Sequence, residues 1–259
     1  MQMKIALVGN SGSGKTTLFN SLTGDPQSGG NRAGITVERK EAPVADNAEV
    51  ILMDLPGIVS LAPYTREEAA VRNCLVQERP DAILNVIEGT NPEPGLFLST
   101  QLNDLGVPFV MAVGKMDLVR KKGRQMDLRK LETRMHCRVV ELSARNRGEC
   151  AAAVRAAVEA AGQEERLQAP AVFGENVERA LLGIGEILKG KVPGNMLRWY
   201  AIKVFERDGR ALDAMGLSPR ELEEAEALIR AVEAEEEDDS ESVLTNQRYA
   251  FISSVMEEL

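Results

Sequence analysis

Apolar-rich runs alternate with amphipathic stretches along the first two-thirds of this 259-residue chain. Residues 4–8, 50–53, 82–87, 109–113 and 138–142 read as strands, most of them without the polar alternation of a half-exposed sheet. Near-continuous apolar strands are those covered on both faces. Between them the apolar spacing changes to three and four, as with Leu98, Leu102 and Leu105, which predicts covering helices. The pattern as a whole predicts an α/β fold, doubly wound around a mostly parallel sheet. Residues 36–44 are more polar and suit an edge strand beside mobile loops.

Near residues 163–170 the character changes. Val177, Leu181, Ile184 and Leu188 share one helical face, and Leu222, Ala225, Ile229 and Val232 another. Ser218-Pro219-Arg220-Glu221 reads as a helix start, with a capping serine, proline in the first turn and a glutamate that can reach back. No strand–helix alternation returns and no repeat has a fixed period. The expected division is therefore an α/β domain over residues 1–165 and a small all-α domain over 171–259. Residues 233–241 are strongly acidic and read as a solvated helix end.

Candidate chemistry begins at the first strand–helix junction. Gly9-Asn10-Ser11-Gly12-Ser13-Gly14-Lys15-Thr16 matches G-x-x-x-x-G-K-[ST], and Thr17 continues into an apolar helix. Glycines let backbone amides wrap phosphates, the helix N-terminus adds its positive end, and Lys15 neutralises the β/γ oxygens. The Thr16 hydroxyl is placed for Mg²⁺. Asp54-Leu55-Pro56-Gly57 ends the 50–53 run, where Asp54 can hold a Mg²⁺-bound water and the Gly57 amide can sense a γ-phosphate. Between the two motifs, Gly34-Ile35-Thr36 supplies a threonine of the kind that ligates Mg²⁺ only in the triphosphate state.

Base recognition is expected after the 109–113 strand. Gly114-Lys115-Met116-Asp117 stands where the usual pattern is N-K-x-D. Asp117 can accept from guanine N1 and its exocyclic amine, but the asparagine contact is missing at Gly114, which leaves ATP use open. Ser143-Ala144-Arg145 fits the backbone support for the guanine oxygen. Lys15, Thr36 and Gly57 are the expected catalytic positions, with Thr16, Thr36 and Asp54 as metal ligands. Ile58 occupies the place of a catalytic glutamine in some GTPases, so hydrolysis should be slow. Arg32 is a candidate source of the missing positive charge.

Bulk properties narrow the partners. A formal net charge of -9 argues against broad attachment to nucleic acid or anionic lipid. No apolar run is long enough to span a membrane and the N-terminus has no signal-peptide pattern, so a soluble chain is expected. Cys74, Cys137 and Cys150 lack a CxxC spacing and read as reduced thiols. His136 is the only histidine, which excludes a Ser-His-Asp triad or a histidine-rich metal site.

The segment 9–20, Ala33-Gly34-Ile35-Thr36-Val37-Glu38-Arg39-Lys40, Asp54 to Ile58, Pro63-Tyr64-Thr65-x-Glu67-Glu68, Pro80-Asp81-x-Ile83-x-Asn85-Val86-Ile87 and Arg198-Trp199-Tyr200-Ala201-Ile202-Lys203 together resemble the cytosolic GTPase domain of the bacterial ferrous iron transporter FeoB. The resemblance covers essentially the whole chain. It implies a G domain binding GTP or GDP with Mg²⁺, a helical spacer behind it, and a membrane permease region of the same transporter as partner. That places the chain on the cytoplasmic side of the bacterial inner membrane, and it leaves a homo-oligomer open. Three positions depart from the family: Gly12 replaces an asparagine that ligates activating K⁺ in many members, Gly114 replaces the base-reading asparagine, and Glu88-Gly89-Thr90 stands where D-A-T is usual, read as neutral. Without the Gly12 ligand, potassium stimulation is not expected.

Overall fold

The computed structural model describes residues 2–24, 39–62, 65–163 and 169–259. Thr36, Gly34, Ile35 and Arg32, with Pro63 and Tyr64, lie outside the described residues. The chain divides into two compact units, one comprising Met1–Asn103, Val107–Gln168 and Val255–Leu259, the other Asp104–Gly106 and Ala169–Ser254.

The first unit is built on a six-stranded sheet. Its strands are β1 (Met3–Val8), β2 (Lys40–Val44), β3 (Asn47–Asp54), β4 (Ala82–Glu88), β5 (Phe109–Gly114) and β6 (Arg138–Leu142). Their spatial order is β2-β3-β1-β4-β5-β6, parallel throughout except for β2. The polar strand expected at an edge is β2, and Pro43 within it is tolerated there because an edge strand can forgo a ladder donor. Strand order reverses at β1, with β3 on one side and β4 on the other, which is where open α/β sheets bind ligands.

The apolar runs predicted burial on both faces, and both are buried. Ile5, Leu7, Leu52 and Leu84 pack with Leu18, Phe19 and Leu22 of α1 (Lys15–Thr23) and with the alanine-rich α6 (Arg147–Ala161). The alternate residues Ala6, Val8, Met53, Ile83 and Ile87 are just as inaccessible. Each fully buried leucine contributes roughly 1.5–3 kcal/mol, and alanines on α6 let that helix approach closely. The remaining helices of this unit are α2 (Arg66–Asn73), α3 (Glu93–Asp104), α4 (Met116–Lys121) and α5 (Leu128–Met135). A capping box between Thr65 and Glu68 starts α2, and a π-helical turn, Cys74–Glu78, ends it.

The second unit is helical: α7 (Glu175–Leu188), α8 (Leu197–Phe205), α9 (Gly209–Met215), α10 (Pro219–Glu236) and α11 (Ser240–Glu258). Val177, Leu181, Ile184 and Leu188 enter its core with Ala225, Ile229 and Val232. Leu222, assigned by spacing to the same face, stays 39% exposed in the first turn of α10. Ser218 and Glu221 form the expected capping box. Asp104 is almost fully buried and accepts from Arg198 Nε and Arg248, each at 2.7 Å, while both guanidinium groups lie over the Phe173 ring. The three cysteines are buried and unpaired, as expected. Among the described residues, no helix is long and apolar enough to cross a membrane.

Candidate nucleotide site

The glycine loop joins β1 to α1 and folds around its own lysine. Lys15 Nζ donates to the carbonyls of Gly9 and Asn10, each at 2.9 Å. Gly9, Gly12 and Gly14 have φ of 146°, 76° and 107°, a region in which most side chains are strained. At Gly9 the reason is also steric, because a Cβ would sit 2.2 Å from the Val86 carbonyl oxygen. Gly14 precedes α1 without offering a side-chain cap, so the first amides of that helix stay available to an anion. Ser11, Gly12, Thr16 and Thr17 are exposed, whereas the Ser13 hydroxyl is buried with no hydrogen-bond partner among the described residues.

Register then brings the second motif alongside. Leu7 of β1 pairs with Asp54 of β3, so the carboxylate emerges beside the loop. Thr16 Oγ1 donates to Asp54 Oδ2 at 2.8 Å, and the buried Asp54 Oδ1 has no partner among the described residues. A hydroxyl joined to a carboxylate with a spare buried oxygen is a donor set suited to a hard divalent cation such as Mg²⁺. Burial raises the Asp54 pKa, opposed by the Thr16 hydrogen bond and by the charges of Lys15 and Lys40. Burial likewise lowers the Lys15 pKa, and the Asp54 charge opposes it.

The loop after Asp54 is stitched to the glycine loop by a residue whose role the motif did not disclose. Asn10 Nδ2 donates to the Ile58 carbonyl at 3.1 Å, and the Ile58 amide donates to the Gly9 carbonyl at 3.2 Å. Leu55 is buried and its amide reaches the Leu7 carbonyl. Pro56 is half-buried and Gly57 is exposed. At Gly57 a Cβ would lie 2.7 Å from the Ser11 amide nitrogen, so glycine is what permits the two loops to touch. Ile58 itself points into the core, 1% exposed.

The segments expected to read a base sit at the same end of the sheet, since Gly114 pairs with Leu142 and Glu88 with Gly114. Lys115 begins α4 at φ 60°, and its Nζ lies 2.7 Å from Glu88. That ion pair, with a hydrogen bond from Thr90, lowers the Glu88 pKa. Residues 88–90 thus hold Lys115, and at Gly89 a Cβ would meet the Gly114 carbonyl at 2.9 Å. Met116 is buried while Asp117 projects from the first turn of α4, its side chain 66% exposed. Ser143, Ala144 and Arg145 follow β6, and a Cβ on Gly14 would be 3.3 Å from the Ala144 methyl group. The structure thus gathers the motifs 9–16, 54–57, 114–117 and 143–145 at the strand C-termini around the switch point.

A reversed strand order, a phosphate loop on the central strand and base-reading segments after the last two strands define a P-loop G domain. Comparison with known proteins then names its family. Residues 3–157 match the family described as ferrous iron transport protein B, and residues 173–259 match the FeoB cytosolic helical domain, so the chain belongs to the FeoB family. It is 31% identical to the Fe(2+) transporter FeoB of Salmonella typhimurium and 30% identical to that of Escherichia coli, in each case over 98% of this chain and 33% of the relative. The chain therefore spans about a third of the length of these relatives. Among solved structures, NFeoB of S. thermophilus bound to GDP.AlF4- and K+ is 38% identical with a TM-score of 0.90, covering 99% of this chain and 100% of that one. The mGMPPNP-bound form gives a TM-score of 0.88 at 38% identity, covering 98% and 96%.

Proposed function

We propose that this chain is the GTP-binding and slowly GTP-hydrolysing part of a ferrous iron transporter, with a G domain over residues 1–165 and a helical domain over 171–259. The observation that carries the reading is the cluster in which Lys15 is held by two loop carbonyls beside the Thr16–Asp54 pair. Phosphoryl transfer asks chiefly for positioning and charge neutralisation, and this cluster supplies both. Lys15 and the free amides at the start of α1 cradle the phosphates. Thr16 and Asp54, with Thr36 from outside the described residues, would hold Mg²⁺, whose charge would help neutralise the phosphate oxygens. The Gly57 amide would orient the attacking water, with that of Thr36, which lies outside the described residues, as its expected partner. Asp117 accepts from guanine N1 and the exocyclic amine, and residues 143–145 support the base oxygen.

Related proteins agree with a guanine nucleotide: S. thermophilus NFeoB carries GDP.AlF4- with K+ in one structure and mGMPPNP in another. Gly12 offers no side chain to a monovalent cation, so hydrolysis here is slow and indifferent to potassium. Ile58, buried and apolar, leaves no side chain at its position to polarise water, which favours as a second reading a nucleotide-dependent switch with negligible turnover. In either case the nucleotide regulates or drives Fe²⁺ uptake by a permease region of the longer protein, at the cytoplasmic face of the bacterial inner membrane.

Single-turnover hydrolysis of GTP and of ATP with Mg²⁺, each in KCl and in NaCl, tests the proposal. Slow GTP-selective cleavage with equal rates in the two salts is expected. Tight GTP binding without cleavage would leave only the switch, and equal use of ATP would show that Gly114 has relaxed base choice.

A further inference from the structure

The loop after β6 is held by more bonds than a surface turn requires. The Ser143 amide donates to Glu149 Oε2 at 2.7 Å, and Glu149 Oε1 accepts from Asn146 Nδ2 at 2.7 Å. The Asn146 amide returns to the Ser143 carbonyl at 2.8 Å. Asn146 Oδ1 in turn caps α6 through the amides of Gly148 and Glu149. From beneath, the buried Cys150 thiol lies 3.6 Å from the Ser143 carbonyl oxygen and 3.5 Å from that of Ala144, sharing its one proton between them.

These bonds orient peptide planes. In a trans peptide the C=O and the following N–H point in opposite directions. Anchoring the Ser143 and Ala144 carbonyls toward α6 therefore turns the Ala144 and Arg145 amides the other way, and no hydrogen bond among the described residues takes up either amide. The Ala144 side chain abuts Gly14 of the phosphate loop, so these donors lie beside the nucleotide site.

We infer that Glu149 and Cys150 are positioning residues of the nucleotide site: they clamp residues 143–145 with two amide donors presented to the carbonyl oxygen of guanine. This rests on reading 143–145 as the base loop. Adenine carries a donor amine where guanine carries that oxygen, so a rigid pair of donors both lengthens the residence of guanine nucleotides and rejects adenine. Loosening the clamp accelerates release without touching the groups that act on the phosphates.

Stopped-flow dissociation of mant-GDP from Glu149→Ala, Glu149→Gln and Cys150→Ala, beside the wild-type chain, tests the clamp. Glu149→Ala is expected to release mant-GDP roughly tenfold faster and Cys150→Ala roughly threefold faster, each the loss of one or two hydrogen bonds. Glu149→Gln keeps an oxygen that can accept from the Ser143 amide and should restore most of the difference. Single-turnover cleavage at saturating GTP should stay within about twofold in all three, since only ground-state base binding changes. A release rate within twofold of wild type in Cys150→Ala, with Glu149→Ala equally unmoved or unfolded, would overturn the clamp while leaving guanine binding intact, and so would a Glu149→Gln variant that releases as fast as Glu149→Ala. No mant-GDP binding by the wild-type chain would overturn the guanine reading and the clamp with it.

Discussion

Two glycines replace side chains that the family resemblance leads one to expect, and their surroundings differ. At Gly12 nothing lies within 4 Å of an added Cβ and φ is 76°, which asparagine tolerates better than most residues. Gly12→Asn should therefore fold normally and make single-turnover GTP cleavage faster in KCl than in NaCl. Equal rates in the two salts would show that more than this ligand is missing. At Gly114 an added Cβ would sit 3.4 Å from the Ile87 carbonyl and 3.6 Å from that of Ser13, close to ordinary contact. Gly114→Asn should restore a brace to the phosphate loop and raise GTP preference over ATP about fivefold, the equivalent of ~1 kcal/mol for one hydrogen bond; competition of ATP against labelled GTP reads it. Asp54 carries a third prediction. Burial holds its folded pKa above the ordinary value. Its contribution to stability is thus full below the unfolded pKa and is lost as pH rises through the folded one. Burial therefore makes ionising Asp54 cost stability. Asp54→Asn should raise the Tm of the nucleotide-free chain at pH 7.5 and abolish Mg²⁺-dependent hydrolysis. A lower Tm would mean that the Thr16 bond and the Lys15 charge outweigh burial.

Individual elements show how local chemistry ends and starts the segments that carry the site. Helix α1 has glycine in place of a capping side chain, which leaves its first amides without a side-chain acceptor, as the proposed phosphate site requires. Helix α10, in the helical unit, is capped on both counts by Ser218 and Glu221. Its Glu221 is held down to about 2 by the Ser218 hydroxyl and amide, with Lys191 adding to the effect. A carboxyl with a depressed folded pKa contributes stability above its unfolded value and loses it as pH falls toward the folded one. Ser218→Ala should cost about 1 kcal/mol in urea denaturation at pH 7, and the gap from wild type should narrow from about pH 4.5 down to about 2. A gap constant over that range would separate the serine from the glutamate. Both capping boxes, at Thr65 and Ser218, are spelled by residues three apart, so the Ser218 start was legible in the sequence. Leu222 was not, because periodicity assigns a face without saying where the facing helix stops.

Across the whole chain the bonds that matter most are long-range. Asp104 and Arg248 are 144 residues apart, yet both are nearly inaccessible and bonded to each other, with Arg198 on the same carboxylate. Asp104→Ala would leave the buried Arg248 without this carboxylate, while Arg198 keeps only Glu178, a loss of about 3–5 kcal/mol. Trp199, the single tryptophan and buried in the same unit, should report it as an earlier urea midpoint in fluorescence, and an unmoved midpoint would count against the network. The strands, the phosphate loop, Asp54 and the helical second half could all be read from the chain, because each depends on neighbours within one or two turns or on backbone freedom that only glycine offers. The buried oxygen of Asp54, the Asn10 stitch to Ile58, the Lys115–Glu88 pair and the Asp104 network could not. Each joins residues whose nearness depends on the strand order β3-β1-β4-β5-β6 or on helix packing, and a linear pattern carries no record of which distant segments the fold will bring within hydrogen-bonding distance.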